Sequence, residues 1–170
     1  MSIVAEMTAV ISPCKQYRYR LERNFVQAGP TVAVFMVNPS WADAETDDNT
    51  ITRLVGFGKR LEWGKLIVGN VFAKRTEDVN QLGHQSQEIE SENLIHISQI
   101  IRDAQIHIVA WGALGKLPEY LRSKWKLISE IAESEECNLL CFGTVQDGHP
   151  RHPGRIGYDA SLRPWIEPSK

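Results

Sequence analysis

The spacing of apolar residues along this chain changes several times between a run typical of strands and a period typical of helices. Residues 31–37 form a continuous apolar run between Gly29-Pro30 and Asn38-Pro39, which predicts a strand covered on both faces. Similar apolar runs predict buried strands at 65–71, 106–111 and 139–142. Residues 16–21 alternate and include two tyrosines, which predicts a half-exposed strand.

Helical spacing of apolar residues occurs between these runs. It predicts helices at 51–61, at 88–103 and from Pro118 to about residue 132, the first capped by Asp48 or Asn49. Strands that alternate with helices in this way indicate βαβ units. The prediction is therefore an α/β protein, a three-layer α/β/α sandwich with a mainly parallel central sheet. With no repeat and no linker, residues 1–170 are expected to form a single domain.

Composition and charge exclude several classes of protein. The 19 basic and 21 acidic residues give a net charge of −2, so no global field attracts the chain to nucleic acid. No apolar run is long enough to cross a membrane, and the first ten residues lack the basic start of a signal peptide. The three cysteines cannot all pair within one chain, and their number is low for a secreted scaffold. We expect a reduced, cytoplasmic protein.

Polar and aromatic residues follow each of the predicted buried strands. Because the carboxyl ends of parallel strands meet at one edge of a sheet, these residues are expected to lie together around a ligand crevice. The candidate substrate-binding residues at this edge are Pro39, Ser40, Trp41, Asn70, Phe72, Arg75, Trp111 and Arg151, and the candidate catalytic residues are Asn38, His149 and His152.

Two asparagines at this edge have side chains suited to ligand binding. The Asn38 amide can orient a water molecule or hold a substrate carbonyl and NH, although an ordinary Asn-Pro turn explains it as well. Asn70 offers both a donor and an acceptor, as bidentate recognition of a base edge requires. The alternative for Asn70 is a hydrogen bond to nearby backbone.

Residues 149–153, His-Pro-Arg-His-Pro, are the densest catalytic-looking segment. Its histidines titrate near neutral pH, so this stiff loop could donate a proton or stabilise an oxyanion. A surface turn is the alternative. The spacing of His149 and His152 permits a metal, but no third ligand is evident, and we expect no metal and no cofactor.

Four carboxylates crowd the loop 43–48, namely Asp43, Glu45, Asp47 and Asp48. They could hold Mg²⁺ for a phosphoesterase reaction, while helix capping and a solvated loop are the alternative. His107 and the pair Cys137 and Cys141 are predicted to pack in the core. The chain has no P-loop and no Gly-x-Gly-x-x-Gly, which argues against nucleoside-triphosphate and dinucleotide binding.

The strand-end motifs together resemble the domain-of-unknown-function family 1643, over about residues 17–153. The motifs are Asn38-Pro39-Ser40-x-Ala42-Asp43, Asp47-Asp48-x-Thr50-Ile51, Asn70-Val71-Phe72-Ala73-x-Arg75, Ala110-Trp111-Gly112 and residues 148–153. This resemblance implies no particular activity.

A second, fainter similarity is to the mismatch-specific branch of the uracil-DNA glycosylase superfamily, a three-layer α/β/α fold. Met36-Val37-Asn38-Pro39-Ser40 is similar to its first motif, which positions the attacking water. Asn70 matches the asparagine that reads the base, and Lys74-Arg75-Thr76 is similar to a later Arg-Pro-Thr segment. The last motif is His-Pro-Ser, whose histidine stabilises the leaving base, and either His149 or His152 corresponds to it.

The leading hypothesis is a metal-independent hydrolase of N-glycosidic bonds, or a base-recognising protein, that acts on nucleic acid or nucleotides. In it Asn38 orients water, Asn70 binds the base edge, and His149 or His152, aided by Arg151, stabilises the departing base. Phe72 or Trp41 could stack on the base. The alternatives are a non-catalytic nucleotide-binding module that holds phosphate with Arg53, Lys74, Arg75 and Arg151, and the Mg²⁺-dependent phosphoesterase. The oligomeric state is open.

Overall fold

A seven-stranded mixed sheet forms the centre of the computed structural model, which describes residues 1–83 and 85–169. In chain order the strands are β1 (Val4–Ile11), β2 (Arg18–Phe25), β3 (Thr31–Met36), β4 (Lys65–Asn70), β5 (Ile106–Val109), β6 (Leu139–Cys141) and β7 (Arg163–Pro164). Their order across the sheet is β1-β2-β4-β3-β5-β6-β7. The α/β class is therefore confirmed.

The sheet is less parallel than the sequence predicted. Its four central strands, β4, β3, β5 and β6, are parallel, whereas β1, β2 and β7 pair antiparallel with their neighbours. The sequence did not indicate β1, because no side chain of this edge strand is fully buried and its apolar alternation is weak. β7 has only two residues, too few for any periodic pattern.

Three helices connect the parallel strands: α1 (Asn49–Arg60), α2 (Gln87–Asp103) and α3 (Lys126–Ser134). Asp48 caps α1 by accepting a hydrogen bond from the Ile51 N–H at 2.9 Å. The third helix begins later than predicted. Pro118 instead precedes a 3₁₀ turn (Glu119–Leu121), and Arg122 donates to the carbonyls of Gly115 and Leu117, which holds the chain in a turn before the helix.

Alternate residues of the central strands pack into two separate apolar clusters. Ala33 and Phe35 of β3 join the cluster that contains buried residues of α2 and α3. Val32 and Val34 join the cluster that contains buried residues of α1. Because successive side chains of a strand point to opposite faces, helices cover both faces of the central sheet. His107 and Cys141 are buried as predicted, and the His107 ring bonds the Ile101 carbonyl at 2.7 Å.

Backbone hydrogen bonds join the segments that follow the parallel strands. The Thr76 N–H donates to the Pro39 carbonyl at 3.0 Å, and the Gly112 N–H to the Pro150 carbonyl at 2.8 Å. The Arg151 N–H donates to the Gly143 carbonyl at 2.9 Å. The candidate residues are thus carried by neighbouring segments at one edge of the sheet. None of the helices in the described part of the chain is long and apolar enough to cross a membrane.

Candidate functional site

His149 lies among three tryptophans, Trp111, Trp125 and Trp165, at the edge of the sheet where the parallel strands end. We call these four residues the tryptophan pocket. The Trp111 indole N–H donates to His149 Nδ1 at 3.2 Å. Because Nδ1 accepts this bond, the neutral imidazole carries its proton on Nε2. Nε2 has no hydrogen-bond partner among the described residues and is able to donate to a bound molecule.

The surroundings of His149 favour this neutral form. Burial lowers the pKa of the imidazole below its ordinary value, while the carboxylates of Asp147 and Glu167 act in the opposite direction. The backbone is fixed as well, since the His149 N–H donates to Asp147 Oδ1 at 2.9 Å and the Trp165 indole N–H donates to the Gly148 carbonyl at 3.1 Å. The imidazole is therefore a positioned, uncharged donor near neutral pH.

A cavity of about 510 Å³ opens beside His149 and Trp125. This is within the volume range of small-molecule sites in proteins. Its wall combines the aromatic rings with two cations and two carboxylates. The lining residues are Leu114, Gly115, Arg122, Trp125, Lys126, Asp147, His149, Glu167, Pro168 and Ser169.

His152 occupies different surroundings from those of His149. Its Nδ1 accepts a hydrogen bond from the Gly154 N–H at 3.1 Å and so caps the 3₁₀ turn Pro153–Arg155. Burial first, and then the cations Lys116 and Arg155, lower the pKa of His152 to about 4, with the charge of Asp48 acting in the opposite direction. The two histidines of the 149–153 segment are therefore both neutral near pH 7, but only His149 lines the cavity.

Asn38 fastens the loop after β3 to the loop after β4. Its amide nitrogen donates to the Thr76 carbonyl at 2.7 Å and to the Pro39 carbonyl at 3.1 Å. Arg75 adds to the same connection, because it donates to the carbonyls of Ser40 at 3.1 Å and Trp41 at 2.9 Å. The amide oxygen of Asn38 has no partner among the described residues, so it remains able to accept a hydrogen bond.

Asn70 is enclosed rather than open to a ligand. It is 2% exposed, and its Oδ1 accepts a long hydrogen bond of 3.4 Å from Arg18, which is also 2% exposed. Asn70 Nδ2 and Arg18 Nε have no hydrogen-bond partner among the described residues. Burial lowers the pKa of the Arg18 guanidinium to about 10, opposed by the charge of Asp48, so Arg18 stays protonated at neutral pH. A base could reach Asn70 only after the covering residues move.

The other candidates divide into buried and exposed residues. Phe72 and Trp111 are core side chains, and Trp111 contributes to the pocket through its indole N–H. Arg151 is exposed, and its Nε donates to the Thr144 carbonyl at 3.2 Å. Trp41 is 49% exposed and is the candidate ring most accessible to a partner.

The carboxylates of the loop 43–48 have structural partners. Asp47 pairs with Arg23 at 2.7 Å, and Asp48 caps α1. Asp43 Oδ1 accepts hydrogen bonds from the N–H groups of Glu45 and Thr46. Both bonds lower the pKa of the Asp43 carboxyl, and the bond from Glu45 has the larger effect. In the described part of the chain no three His, Cys, Asp or Glu side chains group as metal ligands would. The arrangement favours the capping interpretation over the magnesium one.

Several residues of the cavity did not emerge from the sequence. Trp125, Trp165, Arg122, Lys126 and Glu167 lie far from the strand-end motifs along the chain, and only tertiary contacts bring them to His149. Trp125 falls within the apolar period of the helix predicted from Pro118, which indicates core packing rather than a site, and Trp165 stands in a polar segment that gives no such signal.

One comparison with known proteins gives a match. The model of a family described as a protein of unknown function (DUF1643) matches residues 18–154, which is most of the chain. No curated protein and no solved structure matches the chain.

Proposed function

Because the chain belongs to the DUF1643 family of proteins of unknown function, we propose its function from the site itself: the protein binds a nucleotide unit, free or within a nucleic acid, in the cavity beside His149. The observation that carries this proposal is the uncharged imidazole, whose Nδ1 is occupied by Trp111 and whose Nε2–H is left free at the wall of the 510 Å³ cavity.

We also propose that the fold is a three-layer α/β/α sandwich of the uracil-DNA glycosylase kind, and that the protein works in the cytoplasm.

The cavity offers complementary groups to both parts of a nucleotide. The Nε2–H of His149 can donate to a carbonyl of the base, and Glu167 can accept from a base N–H. Trp125 supplies an aromatic wall. Lys126 and Arg122 line the same cavity and can attract the phosphate. The aromatic rings of Trp125 and His149 suit a planar base, and the two cations suit its phosphate, while Asp147 and Glu167 are left to accept from N–H groups of the base.

Titration calorimetry with nucleoside 5′-monophosphates and the matching nucleosides tests this proposal. We expect His149→Ala to weaken binding of both by about 10-fold, because each loses a buried hydrogen bond. Lys126→Ala should weaken the monophosphates more than the nucleosides, since only the monophosphates carry the charge it faces. The Lys126 side chain makes no hydrogen bond to the described residues, and its contact with the Trp125 ring is long, 6.0 Å from Nζ to the ring centroid, so we expect this change to leave the fold of the pocket intact.

The matched control is His96→Ala, a half-buried histidine of α2 outside the cavity. The affinity of the His96→Ala variant for nucleosides and their monophosphates should equal that of the unchanged protein. Binding that persists undiminished in His149→Ala, or an equal loss in His96→Ala, would remove the proposed site.

We propose as a second candidate the hydrolysis of an N-glycosidic bond, favoured by one observation on Asn38. The bonds from its amide nitrogen to Thr76 and Pro39 fix the amide plane, and the unpartnered oxygen can then hold a water molecule. His149 would stabilise the departing base by donating from Nε2. The base leaves with the electron pair of the broken C–N bond, water forms the new C–O bond, and the proton of the water passes to the departing base or to solvent. Because the Asn38 amide orients water but cannot take its proton, the reaction is expected to be slow.

Base release from oligonucleotides that carry uracil, mismatched thymine or deaminated purines tests the hydrolase, with and without chelator. Release that resists chelator and is lost in both Asn38→Ala and His149→Ala would support it. Release unchanged in both variants would refute the roles of these residues. Nucleotide binding without release would leave the binding module as the function.

A further inference from the structure

An exposed tryptophan and several cations lie together in a part of the molecule that the proposed function does not use. Trp41 is 49% exposed and lies in the loop after β3. It lines an open depression of about 360 Å³ that also holds two cations and two hydroxyl groups. The lining residues are Lys15, Ser40, Trp41, Arg75, Thr76 and Glu77.

The half-buried Arg75 and the buried Arg18 and Arg23 fix the backbone that presents this ring. Arg75 donates to the carbonyls of Ser40 and Trp41, and Arg18 donates to the next carbonyl, that of Ala42, at 2.9 Å. Arg23 donates to the Asp43 carbonyl at 2.6 Å. We call residues 40–47 the arginine-held loop. Because its backbone is already ordered, a partner that stacks on Trp41 meets a small entropic cost.

A second aromatic ring with its own cation lies next to this depression. The Lys74 ammonium is 5.3 Å from the centroid of the Tyr17 ring. The segments of the two sites are adjacent, because the Arg75 N–H donates to the Gln16 carbonyl at 2.8 Å and the Arg75 side chain donates to the Lys15 carbonyl at 3.1 Å. Two rings and three cations therefore share one short stretch of surface.

From this juxtaposition we propose that Tyr17 and Trp41, with the cations Lys15, Lys74 and Arg75, form a binding surface for single-stranded nucleic acid. The rings can stack on successive bases, and the cations can contact the phosphates between them. Glu77 is the single carboxylate among the depression's lining residues and is outnumbered by the cations. An open depression does not enclose a small molecule, so its affinity must come from repeated units of a polymer.

Fluorescence anisotropy with a labelled oligothymidylate of about 12 nucleotides tests this surface, a length within the range of known single-strand modules. We expect Trp41→Ala to weaken binding by about 10- to 100-fold, the usual effect of losing one stacked base. Trp41→Phe should restore much of the affinity. Lys15→Ala should reduce the slope of log affinity against log salt by about 0.7, the value for one phosphate contact on a single strand.

Two exposed residues elsewhere serve as matched controls. Tyr120→Ala removes another exposed ring, and Lys59→Ala removes a cation at the end of α1. Neither should change the affinity or its salt dependence. Equal binding by Trp41→Ala and the unchanged protein would overturn the proposal, as would equal losses in Trp41→Ala and Tyr120→Ala, or no binding of the oligothymidylate at all.

The outcome is separable from that of the nucleotide pocket. Trp41→Ala is expected to bind nucleoside monophosphates normally if the pocket beside His149 is their site. A duplex of the same length should bind more weakly than the single strand, because its bases are already stacked. Duplex binding that equals single-strand binding and is unaffected by Trp41→Ala would contradict a stacking surface.

Discussion

The tryptophan pocket and the arginine-held loop lie at the same edge of the sheet, yet opposite kinds of interaction hold them in place. Around His149, aromatic rings pack against one another, with Trp111 and Trp125 stacked at 5.6 Å between ring centroids. Around residues 40–47, charged side chains donate to backbone carbonyls and to one carboxylate. One region is ordered mainly by apolar contact and the other mainly by charge-assisted hydrogen bonds.

The difference between the two regions shows which polar groups remain free to bind or react with a ligand. Apolar packing orders His149 while using only one of its two ring nitrogens. Asp47 in the arginine-held loop and the adjacent Asp48, which the sequence offered as Mg²⁺ ligands, already have partners. A cluster of polar residues near strand ends is therefore not by itself a reactive site, because the backbone of a long loop also needs hydrogen-bond partners.

The largest expected effect comes from removing the buried arginine that holds the loop. Arg23 is fully buried and binds Asp47 together with the carbonyls of Glu22 and Asp43. Arg23→Met should lower the free energy of unfolding by about 3 kcal/mol, because these acceptors lose their donor. Urea unfolding measures the loss.

The control for Arg23→Met is Arg102→Met, which breaks the exposed ion pair with Glu135. Little or no change in stability is expected there, since solvent screens the pair. If the two variants lost equal stability, the loop would not depend on a buried charge, and the contrast between the two regions would fail.

A smaller effect is expected from His152, which tests the neutral histidines of the 149–153 segment. Its pKa in the folded protein, about 4, lies below the ordinary value, so between the two values the unfolded chain binds more protons. The stabilisation is complete above about pH 6.5 and is lost as the pH falls toward 4. Between pH 7.5 and 5 this amounts to about 2 kcal/mol.

The variant His152→Asn isolates this contribution. Its amide oxygen can still accept from the Gly154 N–H, but it does not titrate in this range. Urea unfolding at pH 7.5 and pH 5 should show a smaller acid loss in the variant. His149, whose pKa is also lowered by burial, contributes equally to both proteins. Identical pH dependence would mean that His152 is not buried in its neutral form.

The smallest effect is expected at Asp48, where capping and metal binding make different predictions. Asp48→Ala should cost about 1 kcal/mol for the lost N-cap, whereas Asp48→Asn should cost less, because asparagine keeps the cap and only the charge that faces Arg18 is removed. Thermal unfolding of both variants, with and without Mg²⁺, measures this. Stabilisation by Mg²⁺ that disappears in Asp48→Asn would restore the magnesium hypothesis.

The sequence predicted most of the elements of the central fold but not the whole sheet. The runs at β3 and β4 are long, uninterrupted and bounded by turn residues, so their position follows from local pattern alone. β1 and β7 lack such a pattern. The alternation of apolar residues in the segment that forms β2 predicts a strand but does not show whether it pairs parallel or antiparallel with its neighbours. Pairing direction depends on partners distant in the sequence.

The candidate site was predicted in the same uneven way. Asn38, Asn70 and His149 were identified as strand-end residues, and they do lie at that edge. Their individual surroundings differ: His149 lines a cavity, Asn38 fastens two loops, and Asn70 is enclosed with Arg18. The sequence could not indicate that two arginines of β2 would be buried, since arginine is normally exposed.

By itself the sequence determined the α/β class, the succession of central strands and helices, and the edge at which the polar residues gather. These follow from local periodicity, because the period of apolar residues reports which faces of an element are buried. Only the tertiary structure decided which histidine faces a cavity, which tryptophans surround it and which carboxylates are occupied by arginine. Those outcomes depend on contacts between residues such as Trp111, His149 and Trp165. These residues are far apart in the sequence, so no local pattern predicts that they meet.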